Sequence, residues 1–140
     1  MRILGLDLGT VTCGVAVSDP TEFLASPVKT VRFESENYEE ALDLLMPLIK
    51  QYKPGKIVLG LPKHMNGDVG VRGQASVAFK EMLEKETGLE VILEDERLTT
   101  VMATRDLLFQ DVSRKKRKKV VDQMAAVQIL QGYLDKNKRG

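Results

Sequence analysis

Three acidic residues with a capacity for chemistry, Asp7, Glu96 and Asp122, lie far apart in this sequence of 140 residues. Asp7 lies within an alternation of apolar residues close to the N-terminus, which predicts a β-strand. A carboxylate in the middle of a strand is costly to bury without a partner. We therefore expect Asp7 to be held by a cation, by N–H donors or by an arginine. The alternative is local, a turn cap through the amides of Gly9 or Thr10.

Asp122 lies in a helical pattern, predicted over residues 120–137, in which apolar residues recur at spacings of three and four. The face that contains it is formed by Asp122, Ala125, Ala126, Ile129, Leu130 and Tyr133. Because Asp122 continues this apolar stripe, we expect its helix to pack that face against a sheet. The alternative is an aspartate in the first helical turn, a position that the helix dipole favours.

Glu96 follows a short predicted strand, residues 90–94, and comes immediately before a further predicted helix. It would either join a site at the end of that strand or serve locally, by pairing with Arg97 or by capping the helix. The three carboxylates thus lie near the ends of elements, an arrangement that is compatible with a site at one edge of a sheet.

The elements that must position these carboxylates follow a simple order. Strands are predicted at residues 3–8, 12–18, 23–32, 56–61 and 90–94, and helices at residues 37–52 and 74–87, after residue 98 and at residues 120–137. Short turns between the first three strands favour an antiparallel meander, and Pro27 favours an edge position for the third strand. The order predicts an α/β fold of the ribonuclease-H-like type, with a mixed five-stranded sheet (three antiparallel strands plus two parallel) and helices on both faces.

The two middle helices carry local signals. Asn37 and Glu40 have the spacing of a capping box, and Pro47 predicts a kink or a local break in the first helix. Gly88 is well placed to end the second helix. The inward face of that second helix is predicted to contain Ala75, Ala78, Phe79, Met82 and Leu83.

Composition indicates one soluble domain over residues 1–140, with 43% hydrophobic and 29% charged residues. No apolar run approaches the roughly 20 residues that span a bilayer, and the N-terminus does not resemble a signal peptide. A single cysteine, Cys13, is expected to be a small buried residue and fits a reducing, cytoplasmic setting.

Two polar segments are candidates for ligand binding. The segment 62–73 follows a predicted central strand and contains His64, the sole histidine, which is either a solvated bystander or an acid or base. Because the net charge is only +1, nucleic-acid binding requires a local cluster of charge. The cluster is the run Arg114, Lys115, Lys116, Arg117, Lys118 and Lys119, which either binds phosphates or is a solvated, mobile loop.

Four motifs give the chain a wider resemblance: LGLDLGT at the start, GLP before the glycine-bearing loop, DERLTT, and VDQMAAVQIL near the end. Together they resemble the YqgF (RuvX) family over essentially the whole chain. LGLDLGT alone is shared with sugar kinases and actin-like ATPases, whereas DERLTT combined with the alanine-rich aspartate helix is far more specific.

The resemblance implies a ribonuclease-H-like nuclease that matures the ends of pre-16S ribosomal RNA, with a metal-dependent phosphodiesterase site built from Asp7, Glu96 and Asp122. Magnesium or manganese is the implied cofactor, because hard divalent cations take oxygen ligands. Thr10 and Arg97 are expected to contact the scissile phosphate, while the basic run 114–119 holds the flanking backbone.

One departure from the family pattern concerns the second metal ion. Related resolvases have a further acidic residue shortly after the helix aspartate, whereas Gln123, Met124, Ala125 and Ala126 follow Asp122 in this chain. The alternatives to an RNA nuclease are a Holliday-junction resolvase acting on branched DNA, a non-catalytic RNA-binding protein and an actin-like ATP-binding protein. The sequence leaves the oligomeric state open.

Overall fold

The computed structural model describes residues 1–62, 70–95 and 114–137, and for residues 71, 72 and 114–123 it describes the backbone alone. Its strands are β1 (Ile3–Leu8), β2 (Thr12–Ser18), β3 (Ala25–Arg32), β4 (Lys56–Leu61) and β5 (Glu90–Asp95). Its helices are α1 (Tyr38–Tyr52), α2 (Val71–Thr87) and α3 (Arg114–Lys136).

The strands form one sheet in the order β3-β2-β1-β4-β5. β1 pairs antiparallel with β2 and parallel with β4, while β2 pairs antiparallel with β3 and β4 pairs parallel with β5. The predicted mixed sheet is therefore confirmed. β3 lies at the edge, as Pro27 predicts, and its register against β2 shifts at Val15 and Ala16, where Pro27 interrupts the ladder.

Two layers of helix cover the sheet. Alternation along β1 directs Leu4, Leu6 and Leu8 into the core that α1 and α2 complete. Ile3 and the residues Ala16 and Val58 of the neighbouring strands pack on the other face against α3. Cys13 is buried in the first of these cores, as predicted.

Helix α1 begins where its capping signal predicts. The side chain of Asn37 accepts a hydrogen bond from the Glu40 amide at 3.2 Å. The Glu40 carboxylate accepts a hydrogen bond from the Glu34 amide at 2.7 Å. In a standard capping box it would accept from the amide of the N-cap residue, Asn37, so the observed partner lies three residues earlier. The helix continues without a break through Pro47 and ends at Lys53, whose φ is 48°.

Helix α2 differs from its prediction at two points. It begins at Val71, three residues before Gln74, and Ala78, which was expected to face inward, is exposed. Among the residues of α2 with described side chains, the buried ones are Gly73, Ser76, Phe79 and Leu83, at spacings of three and four. Alanine has too little apolar surface to indicate which face of a helix is buried. The larger side chains of Phe79 and Leu83 decide which face of α2 packs into the core. Gly88 ends the helix with a φ of 70°, as predicted.

Helix α3 begins six residues earlier than the predicted start at Val120, so the basic run 114–119 is helical and the interpretation as a loop is wrong. Asp122 follows Arg114 by eight residues, and the first turn contains no acidic residue. The alternative of a first-turn aspartate favoured by the helix dipole is therefore also wrong. Within the described ranges, no helix has the length and apolar character needed to cross a lipid bilayer.

Candidate active site

The site begins with Asp7, which lies at the C-terminal end of β1 on the face that α3 covers. Its partner across the antiparallel ladder is Gly14 on β2, and the partner of Gly14 on β3 is Thr30. On the other side of β1, Leu6 pairs with Leu59, so the next step of the register sets Asp7 beside Gly60. Both strands that flank Asp7 thus present glycine at its level, so neither contributes a side chain in direct register with Asp7.

Helix α3 approaches β1 closely at a third glycine, Gly5. A Cβ atom on Gly5 would lie 2.7 Å from the Leu130 Cβ and 3.3 Å from the Ala126 carbonyl oxygen. Only a residue without a side chain permits this approach. The glycine in the middle of β1 is therefore what allows the aspartate-bearing helix to lie directly on the strand that contains Asp7.

The direction of α3 is fixed by contacts at its other end. The Tyr133 hydroxyl lies 3.5 Å from the Lys56 Nζ, and Lys56 pairs with Ile3 at the start of β1. Since Ala126 and Leu130 meet Gly5, the helix runs from the Asp7 end of β1 towards the Ile3 end. Asp122 precedes Ala126 by four residues, about one turn or 5.4 Å, which is close to the two-residue rise from Gly5 to Asp7.

The turn between β1 and β2, which follows Asp7 in the chain, is braced by backbone hydrogen bonds. The Gly9 amide donates to the Thr12 carbonyl at 2.7 Å, and the Glu36 amide donates to the Thr10 carbonyl at 2.7 Å. A third bond, from the Phe33 amide to the Val11 carbonyl at 2.9 Å, ties the same turn to the segment after β3. Thr10 is exposed in this braced turn, two residues beyond the end of β1.

Several predicted site residues lie outside the described residues or have no described side chain. Glu96, Arg97 and His64 fall outside, and Glu96 directly follows Asp95, the last residue of β5. For Asp122 and the basic run 114–119, the helical backbone alone is described. Among the described side chains, no group of three or more histidine, cysteine, aspartate or glutamate residues could hold a metal ion.

Sequence reasoning did not single out Glu94, a carboxylate on β5 whose side chain is only 4% exposed. Glu94 pairs with Gly60 across the parallel ladder, so it lies in the same row of the sheet as Asp7. It forms an ion pair with Lys136 at the end of α3. The available signal is the alternation in β5, where Val91 and Leu93 face α1 and α2 and Glu94 must face α3.

Solved structures that resemble this fold include resolvases. "T. thermophilus RuvC in complex with Holliday junction substrate" gives a TM-score of 0.61 at 12% identity and covers 99% of this chain and 97% of that chain. "Crystal structure of the fowlpox virus Holliday junction resolvase" gives a TM-score of 0.57 at 18% identity and covers 97% of this chain and 99% of that one. The predicted ribonuclease-H-like fold is confirmed.

Sequence relatives are much more similar. A protein of Lactococcus lactis subsp. cremoris named "Putative pre-16S rRNA nuclease" is 55% identical over 134 residues, covering 96% of this chain and 94% of its own length. A protein of Bacillus subtilis with the same name is 55% identical over 135 residues, covering 96% and 98%. A family model described as "RuvX: Holliday junction resolvase" matches residues 1–136. Because the family model matches nearly the whole chain and these relatives are 55% identical to it, the chain belongs to the RuvX family.

Proposed function

We propose that this protein is a metal-dependent endonuclease that hydrolyses phosphodiester bonds, with Asp7, Glu96 and Asp122 as its catalytic carboxylates and metal ligands. The observation that carries the proposal is the contact of α3 with Gly5, which sets the helix that bears Asp122 directly against the strand that bears Asp7. Glu96 completes the set from the chain that follows β5, a strand joined to β1 through β4.

The donor set suits magnesium or manganese. Carboxylate oxygens are the ligands that these hard cations prefer, and Mg²⁺ keeps several waters when it binds to a protein. Gly14 and Gly60, which flank Asp7 in the sheet, add no side chain that would compete with those waters. When bound, such an ion supplies an activated water and stabilises the charge on the leaving 3′ oxygen. The chain contributes the three carboxylates and the rigid strand and helix that hold them.

Substrate phosphates are bound by the residues around the carboxylates. The braced turn presents the Thr10 hydroxyl, and Arg97 supplies a guanidinium next to Glu96. The basic run 114–119 extends α3 beyond Asp122 by two turns, so its residues are distributed around the helix axis. Those that face the nucleic acid contact the flanking backbone without regard to sequence.

The substrate we favour is the unprocessed end of pre-16S ribosomal RNA, which the names of the relatives support. Branched DNA is the second candidate, supported by the description of the family and by the resolvase fold. A non-catalytic RNA-binding role and an actin-like ATP-binding role are less well supported, because the relatives are named as nucleases. Cys13, the single cysteine of the sequence, is buried, which fits a reducing compartment, and we propose the cytoplasm.

The test compares Asp7→Asn with the wild type and with Asp43→Asn, a matched control on the exposed face of α1. Each protein is incubated with a precursor 16S RNA end and with a four-way DNA junction, in Mg²⁺, in Mn²⁺ and in EDTA. We expect Asp7→Asn to lower metal-dependent cleavage by roughly a hundredfold or more, because it removes a charge from the reacting centre.

The control variant should cleave like the wild type, and all three proteins should unfold at similar temperatures. Mn²⁺ binding by calorimetry gives a second readout, which should weaken in Asp7→Asn alone. Equal cleavage by Asp7→Asn and the wild type, or cleavage that survives EDTA, contradicts the mechanism. RNA binding without metal-dependent cleavage of either substrate would favour the non-catalytic role.

A further inference from the structure

A buried hydroxyl group without a partner lies on β3, the strand at one edge of the sheet. The Oγ1 atom of Thr30 is buried and, among the described residues, has no hydrogen-bond partner. Such a hydroxyl has lost its hydrogen bonds to water on folding and has not replaced them, which costs free energy. Buried polar groups of this kind are uncommon in native proteins, and they indicate a strained, catalytic or ion-binding position.

The register of the sheet relates Thr30 to Asp7. Thr30 pairs with Gly14 on β2, and Gly14 pairs with Asp7 on β1, so the three residues form one row across the strands. Cys13 and Val31, the neighbouring pair on β2 and β3, lie in the core that α1 and α2 complete. Because side chains alternate along a strand, Thr30 lies on the opposite face, which is the face of Asp7 and α3.

The same row contains a second buried polar group on its other side, but that group is compensated. Glu94 on β5 joins the row of Asp7 through Gly60. The Lys136 ammonium forms an ion pair with the Glu94 carboxylate, so its charge is balanced. Thr30 has no comparable neighbour in the part of the chain that the structure describes. Of the two groups that flank Asp7 beyond the glycines, the Thr30 hydroxyl is therefore the one whose burial lacks an explanation.

The separation between Thr30 and Asp7 suits an ion that keeps its water. The two residues are two strands apart, so their Cα atoms lie roughly 10 Å from each other. Direct coordination of one Mg²⁺ by both side chains would bring their oxygens to about 4 Å, which is too close for that spacing. A path from the carboxylate through the ion and one bound water to the hydroxyl is about 7 Å long, which fits two side chains on the same face.

The candidate carboxylates leave several positions on the ion to water. Mg²⁺ takes six ligands in an octahedron and keeps several waters when it binds to a protein. The residues that follow Asp122 add no further acidic group, and Ala125 and Ala126 among them are buried. A water on a divalent ion is a strong hydrogen-bond donor, because the ion lowers its pKa. A threonine hydroxyl can accept such a bond through its lone pairs.

We propose that Thr30 is a positioning residue of the metal site, and that its hydroxyl accepts a hydrogen bond from a water on the ion held by Asp7. It acts through that water and contacts neither the ion nor the substrate. The bond fixes the orientation of the water and gives the buried hydroxyl its missing partner. This inference rests on the proposed function, because it requires an ion at Asp7.

The test replaces Thr30 by valine, which keeps the branched shape and removes the hydroxyl. We expect Thr30→Val to weaken Mn²⁺ binding by about tenfold or more in calorimetry, the usual effect of removing a group that orients a metal ligand. Urea unfolding in EDTA should show equal or greater stability, because the buried hydroxyl without a partner is gone. Thr30→Ser keeps a hydroxyl and should recover most of the affinity. Ser26→Ala, which removes an exposed hydroxyl from the other end of β3, should bind Mn²⁺ like the wild type.

Asp7→Asn, measured in parallel, separates this inference from the proposed function. If Asp7→Asn loses Mn²⁺ binding while Thr30→Val retains the wild-type affinity, the metal site stands and the role of Thr30 is wrong. If Asp7→Asn itself binds Mn²⁺ like the wild type, the site on which both proposals depend is wrong. A loss of affinity in Thr30→Val that comes with a loss of stability, or that Thr30→Ser does not recover, would show a packing role and would also overturn the inference.

Discussion

Asp7 on β1 pairs directly with Gly14 on β2, a residue that has no side chain. Continuing the parallel register from Leu6 and Leu59 sets Gly60 on its other side. The third glycine, Gly5, has a different role, because α3 approaches it too closely for any side chain. Glycines on this face of the sheet thus have two positions: Gly14 and Gly60 flank Asp7 in register, and Gly5 contacts the helix.

A methyl group can be placed next to Asp7 by the substitution Gly60→Ala. We expect metal-dependent cleavage to fall, because the new methyl group projects on the same face as the carboxylate and takes the place of metal-bound water. Alanine is favoured over glycine within a strand by roughly 0.5–1 kcal/mol, so stability should stay level or rise. Cleavage rates across an Mn²⁺ titration and urea unfolding measure the two effects. A fall in stability with the fall in activity would show instead that the methyl group collides with α3.

Gly5→Ala, in contrast to Gly60→Ala, should lower the stability of the protein. Its Cβ atom would lie 2.7 Å from the Leu130 Cβ, whose position the helix backbone fixes, so the backbone of α3 or of β1 must shift. We expect a loss of about 1–3 kcal/mol in the free energy of unfolding, the usual cost of overpacking a core. Urea unfolding checks it. Wild-type stability would mean that α3 moves away from β1 without cost, and that its contact with β1 does not fix the site.

The basic run is tested by replacing Lys115, Lys116 and Arg117 with alanine. Successive positions on a helix are turned by about 100°, so only two or three of the six cations can face one phosphate backbone. We expect weaker binding to all RNA sequences and a salt slope shallower by about 1 to 2 units, since each phosphate contact to a single strand contributes roughly 0.7.

The measurement for the basic run is a salt titration of RNA affinity in Ca²⁺, chosen to limit cleavage. Alanine at Lys29, Lys50 and Lys85, three exposed lysines outside α3, removes the same charge and serves as the control. This control should keep the wild-type slope. An unchanged affinity and slope in the first variant would show that the run does not bind the nucleic acid.

Asp19 should make the stability of the protein depend on acid. In the folded protein, hydrogen bonds from the Leu24 amide and from Thr21 lower its pKa from the ordinary value of 3.8. The contribution of Asp19 to stability is therefore fully present above about pH 4 and is lost as the pH falls towards the lower folded pKa. In thermal unfolding between about pH 2 and 6, the advantage of the wild type over Asp19→Asn should shrink below pH 4. An advantage that does not change with pH would contradict this role for the carboxylate.

Elements with local causes could be predicted from the sequence. The Asn37 cap, the stop at Gly88 and the bounds of β2 all depend on residues within a few positions of one another. The start of α3 could not be predicted in this way. Six adjacent cations repel one another, but Lys and Arg are good helix formers, and packing of Ala126 and Leu130 on the sheet supplies the nucleus from which the helix extends.

The sequence by itself determined the order of the described elements, the mixed sheet and the three carboxylates chosen as candidates. Tertiary structure alone decided that Asp7 pairs with Gly14 and that Leu130 rests on Gly5. It also decided that Glu94 is buried against Lys136. The physical reason is distance along the chain. Hydrophobic period, caps and turns act over a few residues, whereas these contacts join residues that meet only after strands pair in register and the last helix packs across them.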